Sequence, residues 1–98
     1  MPPLLSQEQI ENGLKNLNSW HQEGQRILKD FNLPSFRATM NLVNRVADVA
    51  ENMNHHPDIT INYNRATLSI TTHSKGGLTR LDFCLAEKIE TLWSNFSP

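Results

Sequence analysis

The chain has 98 residues, with 9 Lys plus Arg against 10 Asp plus Glu and a net charge of -1. A single cysteine, Cys84, leaves no internal disulfide framework, and the near-neutral charge offers no basic stripe for a nucleic-acid backbone. No apolar run approaches a membrane span and residues 1–5 lack the pattern of a secretory leader, so one soluble, cytoplasmic domain over 1–98 is expected, small enough that sharing apolar surface in an oligomer would be natural.

Ser6, with Gln9 three residues on, has the form of a capping box, and Leu5 and Ile10 stand where a hydrophobic staple would pair them. Ile10, Leu14 and Leu17 recur at helical spacing, predicting a first helix over 7–17 that Asn18–Ser19 stops. Two short strands, 20–22 and 25–31, follow around a tight turn at Glu23–Gly24, where glycine tolerates positive φ. Their alternation is loose, because Lys29 falls between Ile27 and Phe31. Pro34 closes the segment, and Ser35 is the N-cap of the longest helix, 36–53. Phe36, Met40, Val43, Ala47 and Ala50 form one apolar stripe on it; Leu42, Val46, Val49 and Met53 form a second. Two stripes exceed the single face that a surface helix buries. The helix therefore packs on the sheet and, in addition, on a neighbouring helix or on another subunit.

Ile59, Ile61 and Tyr63 alternate, as do Ala66, Leu68 and Ile70, which is strand periodicity. A two-residue turn at Asn64–Arg65 would pair Tyr63 with Ala66, Ile61 with Leu68 and Ile59 with Ile70, all on one face. Extended outward, this ladder sets His73 opposite His56, with Pro57 interrupting the hydrogen bonding. Gly76–Gly77 ends the strand. Thr79 then reads as an N-cap with Asp82 at the third helical position, and Leu81, Leu85, Ile89, Leu92 and Phe96 give a final amphipathic helix. The order α-β-β-α-β-β-α favours an α+β fold, an antiparallel sheet with helices on one face.

Three of the four histidines, His55, His56 and His73, fall in one short segment, with Glu51 upstream and Asp82 downstream. Imidazole changes charge near neutral pH, so such a group suits proton transfer, metal binding or a pH switch. Asn44, Asp48, Glu51 and His55 share a polar helical spacing that would make Glu51 and His55 neighbours, and a carboxylate beside an imidazole can orient the ring. A lone histidine near a helix end is often only a favourable charge on the helix dipole, and that reading suffices for His21 on the first hairpin; three that converge call for more. Three imidazoles can hold zinc, but adjacent histidines are not the i, i+4 pair that puts two ligands on one helix face, and Cys84 sits among apolar positions as packing. No metal is expected. Ser69 and Ser74 lack a nucleophile-elbow pattern.

Glu51, His55-His56-Pro57, Tyr63, His73 and Asp82, at their spacings, resemble the signature of the pterin-4a-carbinolamine dehydratases. The run 46–51 leading into the His pair is similar to that family's second helix and 68–73 to its last strand; Trp20 and the stretch 31–36 also fit. The resemblance implies a four-stranded antiparallel sheet with three helices on one face. It also implies dehydration of a 4a-hydroxytetrahydropterin to quinonoid dihydropterin, without metal or organic cofactor, serving the aromatic amino acid hydroxylases. Residue by residue it makes His55, His56 and His73 the catalytic set. His55 and His73 would be general acids for hydroxyls on opposite ring faces, and His56 would mainly bind and orient the pterin. Thr72 and His73 would contact substrate too, and Glu51 and Asp82 would stand behind the imidazoles. The family also implies a homo-oligomer, dimer or tetramer, and offers a second possibility, a coactivator module that binds a partner protein through its helices. Ile59 stands where the family often has an aromatic residue, and Asn54 where an acidic one is common.

Overall fold

Local sequence signals and one shared core account for the order of elements in a computed structural model, which describes residues 2–97. The elements are α1 (Gln7–Lys15), β1 (His21–Glu23), β2 (Arg26–Asn32), α2 (Phe36–Met53), β3 (Asp58–Asn62), β4 (Arg65–Ile70), a short 3-10 turn (His73–Lys75) and α3 (Arg80–Ser94). The sheet is antiparallel throughout, in the order β1-β2-β4-β3. The α+β expectation therefore holds, with four strands and three helices in the expected order.

The caps explain where the helices start. Ser6 and Gln9 close a reciprocal capping box on α1, Ser35 accepts from the main chain of Ala38 at the start of α2, and Thr79 with Asp82 closes a second box on α3. The first helix ends at Lys15, two residues early, because Asn16 caps it. Each helix then presents its apolar stripe to one sheet face. Ile10 from α1, Leu42 and Val46 from α2, and Leu85 and Ile89 from α3 join Ile27, Phe31, Leu68 and Ile70 in one buried cluster. Trp20, Phe31 and Trp93 lie edge to face within it.

The loose alternation of β2 also has a cause. Lys29 points into the core, where Nζ lies 2.8 Å from Glu90 Oε2, and Trp20 Nε1 donates to the same oxygen at 2.9 Å. A buried ammonium is tolerated when it is paired in this way. It does not break the strand.

Two turns differ from expectation. The β1–β2 turn is Gly24–Gln25 rather than Glu23–Gly24, since Glu23 pairs with Arg26 and Gly24 takes the positive φ of the first turn position. The β3–β4 turn is Tyr63–Asn64 rather than Asn64–Arg65. Ile61 pairs with Ala66 and Ile59 with Leu68, two residues away from the expected register. Alternation fixes only parity, so a slide by two leaves every inward residue inward. What selects the register is β2. It pairs with β4 as far as Arg65, and just beyond it the N–H of Leu33 donates to the carbonyl of Asn64. Tyr63 is left exposed in the turn at positive φ.

Candidate active site

The turn that ends α2 decides where the paired histidines point. Asn54 adopts the left-handed conformation, φ 52° and ψ 41°, which asparagine tolerates better than most residues. Its N–H donates to the carbonyl of Glu51, and the N–H of His55 reaches back to Ala50. This is a Schellman termination. It takes His55 off the helical path, so Glu51 does not meet His55 as the helical spacing suggested. Glu51 meets His56 instead, Oε2 lying 2.5 Å from Nε2, with both side chains exposed. Pro57 restricts His56 to extended backbone and leads into β3.

His55 turns inward to the start of α3. Its Nε2 lies 2.7 Å from Oδ1 of Asp82, whose side chain is 0% exposed while that of His55 is 11% exposed. The other oxygen of Asp82 accepts from the main-chain N–H of Thr79 and from the hydroxyl of Thr72, each at 2.8 Å. The hydroxyls of Thr72 and Thr79 are 2.9 Å apart. A helix N-terminus is where a carboxylate is most favourably held, and here the capping carboxylate has one oxygen left for an imidazole.

His73 is not on a strand. The β4 strand ends at Ile70, β3 begins only at Asp58, and His73 opens the 3-10 turn that the Thr72–Gly77 bridge closes. Carried outward, the register found here would set His56 against Thr71 rather than His73. His73 is exposed and makes no side-chain hydrogen bond among the described residues. Its tie to the site is Thr72, the preceding residue, which holds Asp82. Thr72 itself is buried with its hydroxyl committed to Asp82.

The structure thus bonds His55, Asp82 and Thr72 together, sets His56 with Glu51 as a separate surface pair, and places His73 one residue from Thr72. Thr79 was legible as a helix cap but not as a member of the site; only the folded loop brings its hydroxyl to Thr72. A groove of about 510 Å³ lies elsewhere, between α2 and α3, lined by Val49, Asn52, Met53, Lys88 and Thr91. No histidine lines it. Among the described residues no group of three or more His, Cys, Asp or Glu side chains is arranged to hold a metal ion, and no helix is long and apolar enough to cross a membrane.

The family model described as pterin 4 alpha carbinolamine dehydratase matches residues 3–92. This chain belongs to that family. A dehydratase-family relative from Roseiflexus sp. (strain RS-1), whose name is provisionally assigned, is 46% identical over 92 residues, 94% of this chain and 99% of its own. Another, named in the same provisional way, from Nitrosospira multiformis, is 44% identical over 93 residues, 95% of this chain and 81% of its own. Among solved structures, a transcriptional coactivator/pterin dehydratase from Brucella melitensis superposes with a TM-score of 0.87 at 27% identity, covering 91% of this chain and 97% of its own. A pterin dehydratase-like RuBisCO assembly factor of the alpha-carboxysome superposes at 0.66 with 19% identity, covering 82% and 94%, and shares the fold.

Proposed function

We propose that this protein dehydrates 4a-hydroxytetrahydropterin to quinonoid dihydropterin and so recycles the cofactor of aromatic amino acid hydroxylases. The observation that carries the reading is the buried Asp82 behind His55, in a chain of the dehydratase family. Burying a carboxylate is unfavourable unless the charge is satisfied. The helix cap engages only one oxygen of that carboxylate, and the other is turned to an imidazole beside the surface, which a proton transfer can use.

Dehydration needs two proton movements. The hydroxyl on the bridgehead carbon must be protonated as it leaves, and the adjacent ring nitrogen must lose its proton as the carbon–nitrogen double bond forms. Imidazoles suit both near neutral pH. In this reading His55 and His73 are acids for hydroxyls on the two ring faces, and His56, exposed and backed by Glu51, binds and orients the pterin. Thr72 serves by holding Asp82 next to His73. The reaction uses no metal and no organic cofactor. The same reading takes 1–98 as one domain and places it in the cytoplasm, where a free thiol such as Cys84 persists. The test is dehydration of the hydroxylated tetrahydropterin, followed by ultraviolet absorbance, with and without chelator. The rate should rise well above the uncatalysed one and be indifferent to chelator. Loss of activity with chelator and its return with zinc would make the histidines ligands.

One face of α2 supports a homo-oligomer, a dimer or a tetramer. Leu42 and Val46 of one stripe are buried, but on the other only Ala50 is: Phe36 is 51% exposed, Ala47 is exposed, and Met40 and Val43 are half-buried. A closed symmetric assembly would cover that stripe. Light scattering should report a dimer or tetramer that Met40→Glu dissociates; a stable monomer across a wide concentration range would remove the claim. The same stripe could instead receive a partner protein, as the coactivator name of the Brucella melitensis structure suggests for that protein. A monomer with no dehydratase activity would favour that second reading.

A further inference from the structure

The hydrogen bonds around Asp82, taken as a carboxylate, have only one possible direction. The main-chain N–H of Thr79 can only donate, and it donates to Oδ2 of Asp82. The hydroxyl of Thr72 donates to the same oxygen, which uses its only proton. The contact between the two threonine hydroxyls must then run from Thr79 to Thr72, and Thr79 Oγ1 accepts from the main chain of Leu81 at 3.2 Å. An ionised carboxylate only accepts, so the remaining oxygen, Oδ1, requires a hydrogen on Nε2 of His55, 2.7 Å away. The other ring nitrogen, Nδ1, makes no hydrogen bond within the described residues. Yet no buried side-chain nitrogen or oxygen among them lacks a partner, so Nδ1 reaches the surface.

We infer that Asp82, held by Thr72 and Thr79, locks His55 in the Nε2–H tautomer, and that Nδ1 is the atom of His55 that exchanges a proton with the pterin. The lock stands on the hydrogen bonds alone; the role of Nδ1 rests on the dehydratase reading. Asp82, Thr72 and Thr79 are positioning residues, acting through His55. In the forward step Nδ1–H of the imidazolium gives its proton to the departing hydroxyl, and the carbon–oxygen bond breaks with its electron pair leaving in water. The lone pair of the adjacent ring nitrogen forms the double bond, and that nitrogen's proton passes to solvent. The imidazole is left neutral with its hydrogen on Nε2, the form Asp82 favours. Water then reprotonates the open Nδ1. The lock matters for the neutral ring: held as Nε2–H it always presents a bare Nδ1 to the next proton, whereas a ring free to choose its tautomer would present Nδ1–H part of the time.

Asp82→Asn tests the lock. The Thr79 N–H still demands an oxygen at the helix cap, so the amide oxygen turns there and the NH2 faces His55. Only an unprotonated Nε2 can accept from it, so His55 should flip to Nδ1–H. Nitrogen-15 NMR of the histidine-labelled protein distinguishes the tautomers by the shifts and two-bond couplings of the ring nitrogens. Recorded at a pH high enough to leave the ring neutral, the native protein should show His55 as Nε2–H and Asp82→Asn as Nδ1–H, with kcat lowered by about 100-fold or more and KM changed far less. Thr72→Val, which loosens Asp82 while keeping side-chain shape, should admit some of the other tautomer, and Thr72→Ser should restore the lock. A native His55 found as Nδ1–H or as a freely averaging mixture would overturn the inference, and so would Asp82→Asn that keeps Nε2–H. The native spectrum needs no substrate and no variant. A locked tautomer in a protein that does not dehydrate pterins would sink the function and leave the lock; an averaging His55 in an active enzyme would do the reverse.

Discussion

At the end of α2, His55 meets a carboxylate that is fully buried, whereas the next residue, His56, meets one that is 75% exposed. The distances are similar, 2.7 and 2.5 Å, so geometry alone would rank the pairs together. Environment separates them. Exposed pairs gain little, because water and salt screen the charges and two side chains must be ordered. Around Asp82 each hydrogen bond depends on the others, and removing one partner leaves buried groups unsatisfied. The two imidazoles should therefore differ in role: one held rigidly for proton transfer, the other free to meet a ligand.

Activity gives the largest test of that contrast. His55→Ala, and likewise His73→Ala, should lower turnover by about 100- to 10,000-fold, the usual loss of a general acid. If each serves one ring face, each variant should impair one substrate diastereomer. His56→Ala should chiefly raise KM, while His21→Ala, on the far hairpin beside exposed Glu23, should be nearly silent. Equal, small losses at all four positions would show that burial has not sorted the histidines by function.

Stability sharpens the same contrast. Asp82→Ala removes the acceptor for Thr79, Thr72 and His55 together. Each buried donor left without a partner costs roughly 1–3 kcal/mol, less whatever water can replace, so a loss of about 3 kcal/mol is expected. Urea unfolding should show a clearly lower midpoint. A loss below about 1 kcal/mol would mean that the network relaxes easily and that Asp82 does not hold His55 rigidly.

These two arms also mark how far sequence reasoning reached. The element order, the span of α2 and the capping box at Thr79 and Asp82 were readable, because each rests on contacts within a few residues. The meeting of three histidines was expected from a ladder whose register was wrong by two. Alternation cannot detect a slide by two, and the N–H of Leu33 bonding Asn64 is a long-range fact. Glu51 was paired with His55 because helical spacing was carried two residues past the helix end at Met53; the left-handed Asn54 breaks it. Asp82 was readable as a cap and, through the family resemblance, as a group behind the imidazoles. That it uses its second oxygen on His55 required the fold.

The smallest effect tests the exposed arm. Glu51 and His56 are five residues apart, on either side of the left-handed turn, and their side chains are 75% and 53% exposed. Glu51→Ala breaks one short contact and leaves nothing buried unsatisfied, so the change in unfolding free energy should stay below about 0.5 kcal/mol. The effect should shrink further in 1 M salt, where the screening length falls to about 3 Å. Activity should respond through KM rather than kcat, since the carboxylate only steadies a ring that binds. If Glu51→Ala lowered turnover as much as His55→Ala does, with stability unchanged, the exposed carboxylate would be part of the proton path. The division of labour between the neighbouring imidazoles would then have to be redrawn around His56.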